Sequence, residues 1–133
     1  MEYRDFDAGR LQDVLRLYRD AGWIAYLKDE AALGRALDHS LCLTGASEDG
    51  EMIGFVRCVG DGEHIVYVQD LIVHSAHRRR GIGKALLRHV MEQYAHVRML
   101  TLITDAQDEN ANAFYRAMGL KAYADGGITG YFR

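Results

Sequence analysis

The sequence HRRRGIGK at residues 77–84 combines basic side chains with two glycines, as loops that bind anions do. The apolar run at residues 66–73 precedes it, and apolar residues at helical spacing follow from Lys84. This pattern predicts a strand, a loop and a helix. The first backbone N–H groups of a helix have no partner inside it, and the helix dipole adds partial positive charge there. The loop is therefore predicted to hold a phosphorylated ligand.

Hydrophobic spacing and turn signals predict the elements that position this loop. Two helices, one ending near Gly22 and one capped by Asp29, follow a short first strand. An antiparallel meander comes next, and then a parallel strand–helix–strand unit. The predicted fold is mixed α/β, with one domain over residues 1–133. Strands are expected at residues 3–6, 41–46, 52–59, 65–73 and 99–104; a helix capped by Asp108 ends at Gly119, before a closing hairpin of residues 121–124 and 129–132.

Composition narrows the class of protein. Of the 133 residues, 49% are hydrophobic and 26% charged, as in ordinary globular domains. The net charge of −3 argues against a nucleic-acid binder, which is usually basic. No apolar run approaches the roughly 20 residues of a membrane span, and the polar N-terminus does not resemble a signal peptide. We therefore expect a cytoplasmic protein with neither nucleic-acid nor membrane partners.

The register of the first hairpin predicts that the two cysteines stay apart. If Asp49 and Gly50 form a two-residue turn, Cys42 lies opposite Arg57, and Cys58 lies opposite Leu41. The two thiols then point to opposite faces of the sheet, so no disulfide is expected. Free thiols fit a reducing compartment.

Two motifs together resemble the GNAT superfamily of N-acetyltransferases. The pattern RxxGxG at residues 78–83, directly after the strand at residues 70–73, is similar to the acetyl-coenzyme A signature of that family. The pattern AxxFYxxxGL at residues 111–120 is similar to its last helix. The order of elements also matches, which implies a GNAT-like fold with about four helices. A weaker similarity, to small serotonin-type (arylalkylamine) acetyltransferases and their short bacterial relatives, rests on residues 17–23, 69–73 and 127–132.

The resemblance implies which residues bind acetyl-CoA. Backbone N–H groups of residues 79–84 would hold the pyrophosphate, with charge-assisted bonds from basic side chains. The strand before the loop would bulge and pair with the pantetheine arm, and an N–H of Ile72 or Val73 would polarise the thioester carbonyl. Either Asp108, at a position that is often asparagine in the family, or Asn110 would contact that arm. The implied cofactor residues are Leu71, Ile72, Val73, Arg78, Arg79, Arg80, Gly81, Ile82, Gly83, Lys84, Asp108, Asn110 and Tyr115.

Two residues are candidates for the proton transfers. Tyr115 would give a proton to the departing thiolate. Asp70 would take one from the amine through water, because a carboxylate in an apolar strand needs a reason to be there. If residues 60–63 turn at their centre, Asp70 lies opposite Ile53, and Gly54 faces Gln69. His74 and His77 are alternative bases.

The sequence says less about which residues bind the amine that accepts the acetyl group. Trp23 and Tyr26, with Tyr18, are predicted to line a pocket for a flat or apolar amine. The remaining histidines show no metal-ligand spacing, so no metal is predicted. The predicted function is direct transfer of an acetyl group to a primary amine of a small molecule. A non-catalytic acyl-CoA-binding domain, and an enzyme acting on a protein or peptide amine, are the alternatives. The closing hairpin offers an edge for a possible homodimer.

Overall fold

The computed structural model describes all residues from Met1 to Arg133. It contains five strands and four α-helices, in the order that the sequence predicts as far as the last helix. The elements are β1 (Glu2–Asp5), α1 (Leu11–Ala21), α2 (Glu30–Asp38), β2 (Cys42–Glu48), β3 (Glu51–Gly60), β4 (Ile65–Val73), α3 (Ile82–Gln93), β5 (Met99–Thr101) and α4 (Glu109–Ala117). Short 3-10 turns at Ala8–Arg10, Ile24–Lys28, Ser75–His77 and Tyr123–Gly126 connect them.

The five strands form one mixed sheet in the order β1-β2-β3-β4-β5. Strands β1 to β4 pair antiparallel, and β4 pairs with β5 in parallel. Asp29 caps α2, as predicted, because its carboxylate accepts the Ala32 N–H at 3.0 Å. Gly22 ends α1 in the left-handed conformation at φ 76°. The predicted fold class, with its meander and one parallel strand pair, is confirmed.

The chain divides into two compact units, residues 1–102 and residues 103–133. The first unit holds the whole sheet and helices α1 to α3. The second holds α4 and the last 3-10 turn. A single domain over the whole chain stays a prediction. None of the helices combines the length and the apolar character needed to cross a membrane.

Helices α1 and α2 build the main core on one face of the sheet. Tyr18 and Leu15 of α1 and Phe55 of β3 are at most 1% exposed. Ile72 of β4 joins the same cluster, which places the middle of β4 against α1. Each fully buried large apolar side chain stabilises the fold by about 1.5–3 kcal/mol. Helix α3 also packs on β3 and β4, and its buried residues are Ile82, Leu86, Leu87 and Val90.

The register between β2 and β3 differs from the predicted one. The turn forms as expected, with Asp49 at φ 52° and Gly50 at φ 81°. A shift between Ala46 and Ser47 then leaves Ile53 as an extra residue in β3. Every pair beyond it moves by one, so Cys42 lies directly opposite Cys58. The prediction that the two thiols point to opposite faces is wrong; both cysteines are buried and free.

The register between β3 and β4 also differs, and this changes the surroundings of Asp70. The Asp61 carboxylate accepts hydrogen bonds from the backbone N–H groups of Glu63, His64 and Ile65. These bonds stabilise a loop that is longer than the predicted turn at the centre of residues 60–63. Gln69 is then an extra residue in β4. Asp70 lies opposite Arg57, not opposite Ile53. Gly54 likewise pairs with Val73, not with Gln69, so both predicted pairings are wrong.

The closing hairpin is absent. Residues 121–124 and 129–132 form no strand, and a 3-10 turn at Tyr123–Gly126 stands in their place. Gly127, at φ 73°, ends the turn, and the Ile128 N–H bonds to the Tyr123 carbonyl at 2.9 Å. Arg116 also holds Asp125 in an ion pair at 2.9 Å. These local bonds compete with strand pairing. Because the hairpin does not form, it offers no strand edge for the predicted homodimer.

Candidate active site

The loop between β4 and α3 has the backbone of an anion site. Arg79 and Gly81 adopt left-handed conformations at φ 63° and 79°, which turns successive N–H groups toward one side. Helix α3 begins at Ile82 with no side-chain cap. The N–H groups of Ile82, Gly83 and Lys84 therefore have no partner inside the helix. An arginine at positive φ costs about 1–2 kcal/mol, and strain of this kind is often found in loops that bind ligands.

The basic side chains of the loop do not share one role. Arg78, Arg79 and Lys84 are exposed. Arg80 instead makes a two-point ion pair with Glu48 at the end of β2, with N–O distances of 2.8 and 3.2 Å. This pairing lowers the pKa of Glu48. Arg80 therefore anchors the loop to the sheet, and the other three cations stay available to a phosphate.

Asp20 of α1 fastens the start of the same loop. Its carboxylate accepts the Ser75 N–H at 2.8 Å and the Ser75 hydroxyl at 2.7 Å. The hydroxyl bond is the main cause of the lowered pKa of Asp20. His74 accepts the Ala76 N–H through Nδ1, and its Nε2 lies 3.4 Å from Asp20. Both ring nitrogens of His74 thus serve the loop. His77 Nδ1 lies 2.8 Å from an Arg80 guanidinium nitrogen, so it serves the loop as well.

Strand β4 has an open edge where the resemblance implies the pantetheine arm. It pairs with β5 only through Ile65, Val66 and Tyr67, and residues 68–73 have no strand partner on that side. The His74 N–H donates to the Ile53 carbonyl of β3 at 2.8 Å. Because N–H groups alternate along a strand, those of Leu71 and Val73 point away from β3, toward the open edge.

Asp70 is the centre of a buried polar cluster, which we call the Asp70 cluster. Its carboxylate is 1% exposed. One oxygen accepts the Tyr18 hydroxyl at 2.6 Å and the Arg57 Nε–H at 2.8 Å. The other oxygen accepts the Tyr26 hydroxyl at 3.0 Å. These three side chains surround the carboxylate and shield it from direct contact with an amine.

Arg57 is the member of this cluster that the sequence analysis missed. Its side chain is 6% exposed, and its guanidinium also reaches the Ser40 hydroxyl at 3.4 Å. A signal existed in the sequence, because Arg57 interrupts the apolar strand MIGFVRCV at residues 52–59. A buried cation almost always has a partner, and Asp70 was the other charge in an apolar strand.

The three aromatic residues predicted for the acceptor pocket lie together. Tyr18 and Tyr26 stack with ring centroids 4.2 Å apart, and Trp23 lies 6.0 Å from Tyr18. Trp23 is 38% exposed, whereas Tyr18 is fully buried. Tyr26 is half-buried, and its hydroxyl accepts the Gln69 amide N–H at 2.8 Å. Burial raises the pKa of Tyr26, so its hydroxyl stays protonated near neutral pH.

The remaining candidates belong to the unit of residues 103–133. The Asp108 carboxylate caps α4 by accepting the Ala111 N–H at 2.9 Å. Asn110 is exposed in the first turn of α4. Tyr115 is half-buried, and burial raises its pKa, with a smaller contribution from Asp108. A neutral phenol of this kind can donate a proton.

Comparison with known proteins gives the family. Residues 9–120 match the model of the acetyltransferase (GNAT) family. A GNAT family acetyltransferase from Streptococcus pneumoniae has 33% identity and a TM-score of 0.85, over 99% of this chain and 94% of that one. The PaiA N-acetyltransferase from Thermoplasma acidophilum, in complex with coenzyme A, shares the fold at 17% identity, with a TM-score of 0.72 over 87% of this chain and 86% of that one.

A curated relative agrees with these structures. The uncharacterized N-acetyltransferase ycf52 of Gracilaria tenuistipitata is 26% identical over 128 residues, which cover 92% of this chain and 67% of the relative. The chain spans between 20% and 67% of the length of three such curated relatives. The family model, the solved structures and the curated relative agree with one another. The chain therefore belongs to the GNAT family of acetyltransferases.

Proposed function

We propose that this chain transfers an acetyl group from acetyl-CoA to a primary amine of a small molecule by direct attack. The observation that carries the proposal is the succession, along one stretch of chain, of an open strand edge and an uncapped helix start. An extended arm with amide groups fits the first feature, and a pyrophosphate fits the second. Coenzyme A has both groups, in this order.

In this proposal the anion loop holds the diphosphate. The N–H groups of Ile82, Gly83 and Lys84 donate to its oxygens, and the exposed Arg78 and Arg79 add charge-assisted bonds. The Ile82 side chain is 2% exposed, so only its backbone serves the ligand. Arg80 contributes indirectly, by fixing the loop to Glu48.

The backbone of β4 would bind the pantetheine arm and polarise the thioester. Leu71 and Val73 direct their N–H groups to the open edge, so the Val73 N–H is the preferred oxyanion donor. Of Asp108 and Asn110, the two candidates for contact to the arm, Asn110 is preferred, because Asp108 already caps α4. These assignments choose between alternatives that the sequence leaves open.

Tyr115 would protonate the departing thiolate. A free thiol has a pKa of about 8.5, so a proton donor helps the sulfur to leave. Burial raises the pKa of Tyr115, which keeps the phenol protonated until the C–S bond breaks. General acid catalysis of this kind contributes about 10²–10⁴-fold to a rate.

Asp70 would receive the proton of the amine through the Tyr26 hydroxyl. Of the three side chains that donate to Asp70, only that of Tyr26 belongs to a residue that is not buried. The Tyr26 oxygen would take the amine proton, directly or through a water, while its own proton moves to the carboxylate. Trp23, beside it, would contact the apolar part of the amine.

A cytoplasmic location stays a prediction.

Titration calorimetry with acetyl-CoA tests the binding half of the proposal. The change Gly81→Asp adds a carboxylate, and a side chain at φ 79°, to the anion loop. We expect it to abolish binding, because the added carboxylate repels the negatively charged diphosphate. Gly127→Asp is the matched control, since Gly127 also has a positive φ, 73°, with open space around it. Unchanged binding by Gly81→Asp would refute the anion site.

Coenzyme A release across a panel of amines tests the catalytic half. The panel includes arylalkylamines, polyamines, aminoglycosides and peptide N-termini. Turnover with a small amine is expected, and Tyr115→Phe should lower kcat more than it weakens cofactor binding. Binding of acetyl-CoA without turnover on any amine would favour a non-catalytic domain. Turnover on peptides alone would favour the protein-directed alternative.

A further inference from the structure

We propose that Cys42 and Cys58 form a reversible redox site, in which hydrogen peroxide joins the two thiols by a disulfide across β2 and β3. The pair lies on neighbouring strands, each cysteine directly opposite the other. Both cysteines are free. Neither of them takes part in the proposed acetyl transfer, so this site is separate from that chemistry.

The backbone already has the spacing that a disulfide needs. Directly opposed residues of an antiparallel pair have Cα atoms about 4.5 or 5.5 Å apart. Disulfides accept Cα separations of about 4.4–6.8 Å. Opposed residues also project to the same face of the sheet, so the two thiols lie on one side of it. Bond formation therefore requires no change of register.

The surroundings make Cys42 the nucleophile of the pair. The neighbouring Cys58 thiol is the largest cause of a lowered Cys42 pKa. The Thr44 hydroxyl lies 3.4 Å from the Cys42 sulfur. The neighbouring Cys42 thiol and burial raise the pKa of Cys58. A thiolate reacts with peroxides whereas a thiol does not, so Cys42 reacts first and Cys58 follows.

A cavity of about 290 Å³ brings a small oxidant to Cys42. Cys42 lines it together with Ser40, Leu41 and Leu43. Cys42 is 6% exposed and Cys58 is fully buried, so the entry side is that of Cys42. Three acidic residues, Asp5, Asp7 and Asp38, also line the cavity. The negative charge of this lining repels oxidants that are anionic disulfides. Hydrogen peroxide is neutral and is not repelled.

The reaction proceeds in two balanced steps. The Cys42 thiolate attacks one peroxide oxygen and becomes a sulfenic acid, and the hydroxide that leaves takes a proton to form water. The Cys58 sulfur then attacks the Cys42 sulfur, and the hydroxyl departs with the Cys58 proton as a second water. Two thiols are oxidised, one peroxide is reduced, and a dithiol reverses the bond.

Peptide mapping of the intact chain after treatment with hydrogen peroxide tests the proposal. We expect one intramolecular link between Cys42 and Cys58, with loss of two hydrogen atoms and full recovery on addition of dithiothreitol. In Cys58→Ser the reaction should stop at a sulfenic acid on Cys42, which dimedone traps. In Cys42→Ser, or Cys42→Ala if serine disturbs folding, Cys58 should react at least about tenfold more slowly, because it lacks thiolate character.

Three results would overturn the proposal. One is a wild-type chain in which no link forms while the fold stays intact by circular dichroism. Another is a link between two chains instead of within one. The third is a rate that rises in urea in proportion to the unfolded fraction, since this would place the reaction in unfolded molecules.

Discussion

Arg57 and Cys58 are neighbours in β3, but their side chains lie on opposite faces of the sheet and have different kinds of partner. Arg57 faces α1 and meets the charge of Asp70, held also by Tyr18. Cys58 faces α3 and meets the thiol of Cys42. The first cluster is ionic and fully hydrogen-bonded, whereas the second consists of two free, buried thiols.

The contrast shows what a one-residue bulge decides. Without the extra Ile53 in β3, Cys42 would face Arg57 and the thiol pair would not exist. Without the longer Asp61 loop and the extra Gln69 in β4, Arg57 would have no carboxylate opposite it. These extra residues therefore place a charge opposite a charge on one face of β3, and a thiol opposite a thiol on the other face.

The largest effect is expected on the ionic face. Arg57→Met leaves the Asp70 carboxylate buried without its cation, and breaking a buried ion pair costs about 3–5 kcal/mol of folding free energy. Urea unfolding followed by circular dichroism measures it. The double variant Arg57→Met with Asp70→Asn should recover at least half of the loss, since a neutral amide needs no cation. A single variant as stable as the wild type would mean that the pair is not buried in solution.

Tyr18 tests the same face through a neutral donor. Tyr18→Phe removes a buried hydroxyl that donates to the carboxylate at 2.6 Å. Hydrogen bonds to charged groups contribute about 1.5–3 kcal/mol, so a loss in this range is expected in urea unfolding. Tyr26→Phe is the matched variant and should cost less, because its bond is longer and its hydroxyl lies nearer to solvent. The reverse order would contradict the assigned burial.

The thiol face should tolerate change better. Cys58→Ala removes one buried sulfur, an atom comparable to a methylene group, and should cost about 1 kcal/mol. Thermal and urea unfolding of this variant beside Arg57→Met compares the two faces directly. A loss as large as that of Arg57→Met would show that the thiol pair, too, holds the sheet together.

The smallest effect is expected at the loop that sets the β4 register. Three backbone N–H groups lower the pKa of Asp61 to about 2, from an unfolded value of about 3.9. Its charge therefore stabilises the fold above about pH 4, and this contribution is lost as the pH falls toward 2. Asp61→Asn keeps the accepting oxygen but not the charge. Its Tm should lie below that of the wild type at pH 7, and the gap should close near pH 2; a constant gap would exclude the charge as the cause.

Much of this molecule follows from local sequence. The spacing of apolar residues predicts α1 to α4, and the caps at Asp29 and Asp108 set two of their starts. Glycines and arginines predict the anion loop. Bulges do not follow from such patterns, because an extra residue changes pairing without changing composition. For this reason Asp70 was predicted as a candidate base, but the Arg57 pairing that surrounds it was not.

The missing hairpin has a similar cause. The sequence around Asp125 and Gly126 carries a turn signal, and the turn does form. Whether the flanks of a turn become strands depends on bonds beyond the turn. Here Arg116 pairs with Asp125, and the Tyr123 carbonyl accepts the Ile128 N–H. Turn chemistry alone does not specify a strand pair.

Arg79 carries a consequence for how this loop evolves. Its backbone at φ 63° is one that glycine adopts without strain, so an arginine there is a standing disadvantage to folding. Under the proposed function, contact between the Arg79 guanidinium and a phosphate would offset this cost, so a related chain that does not bind the ligand should accept glycine at this position more readily.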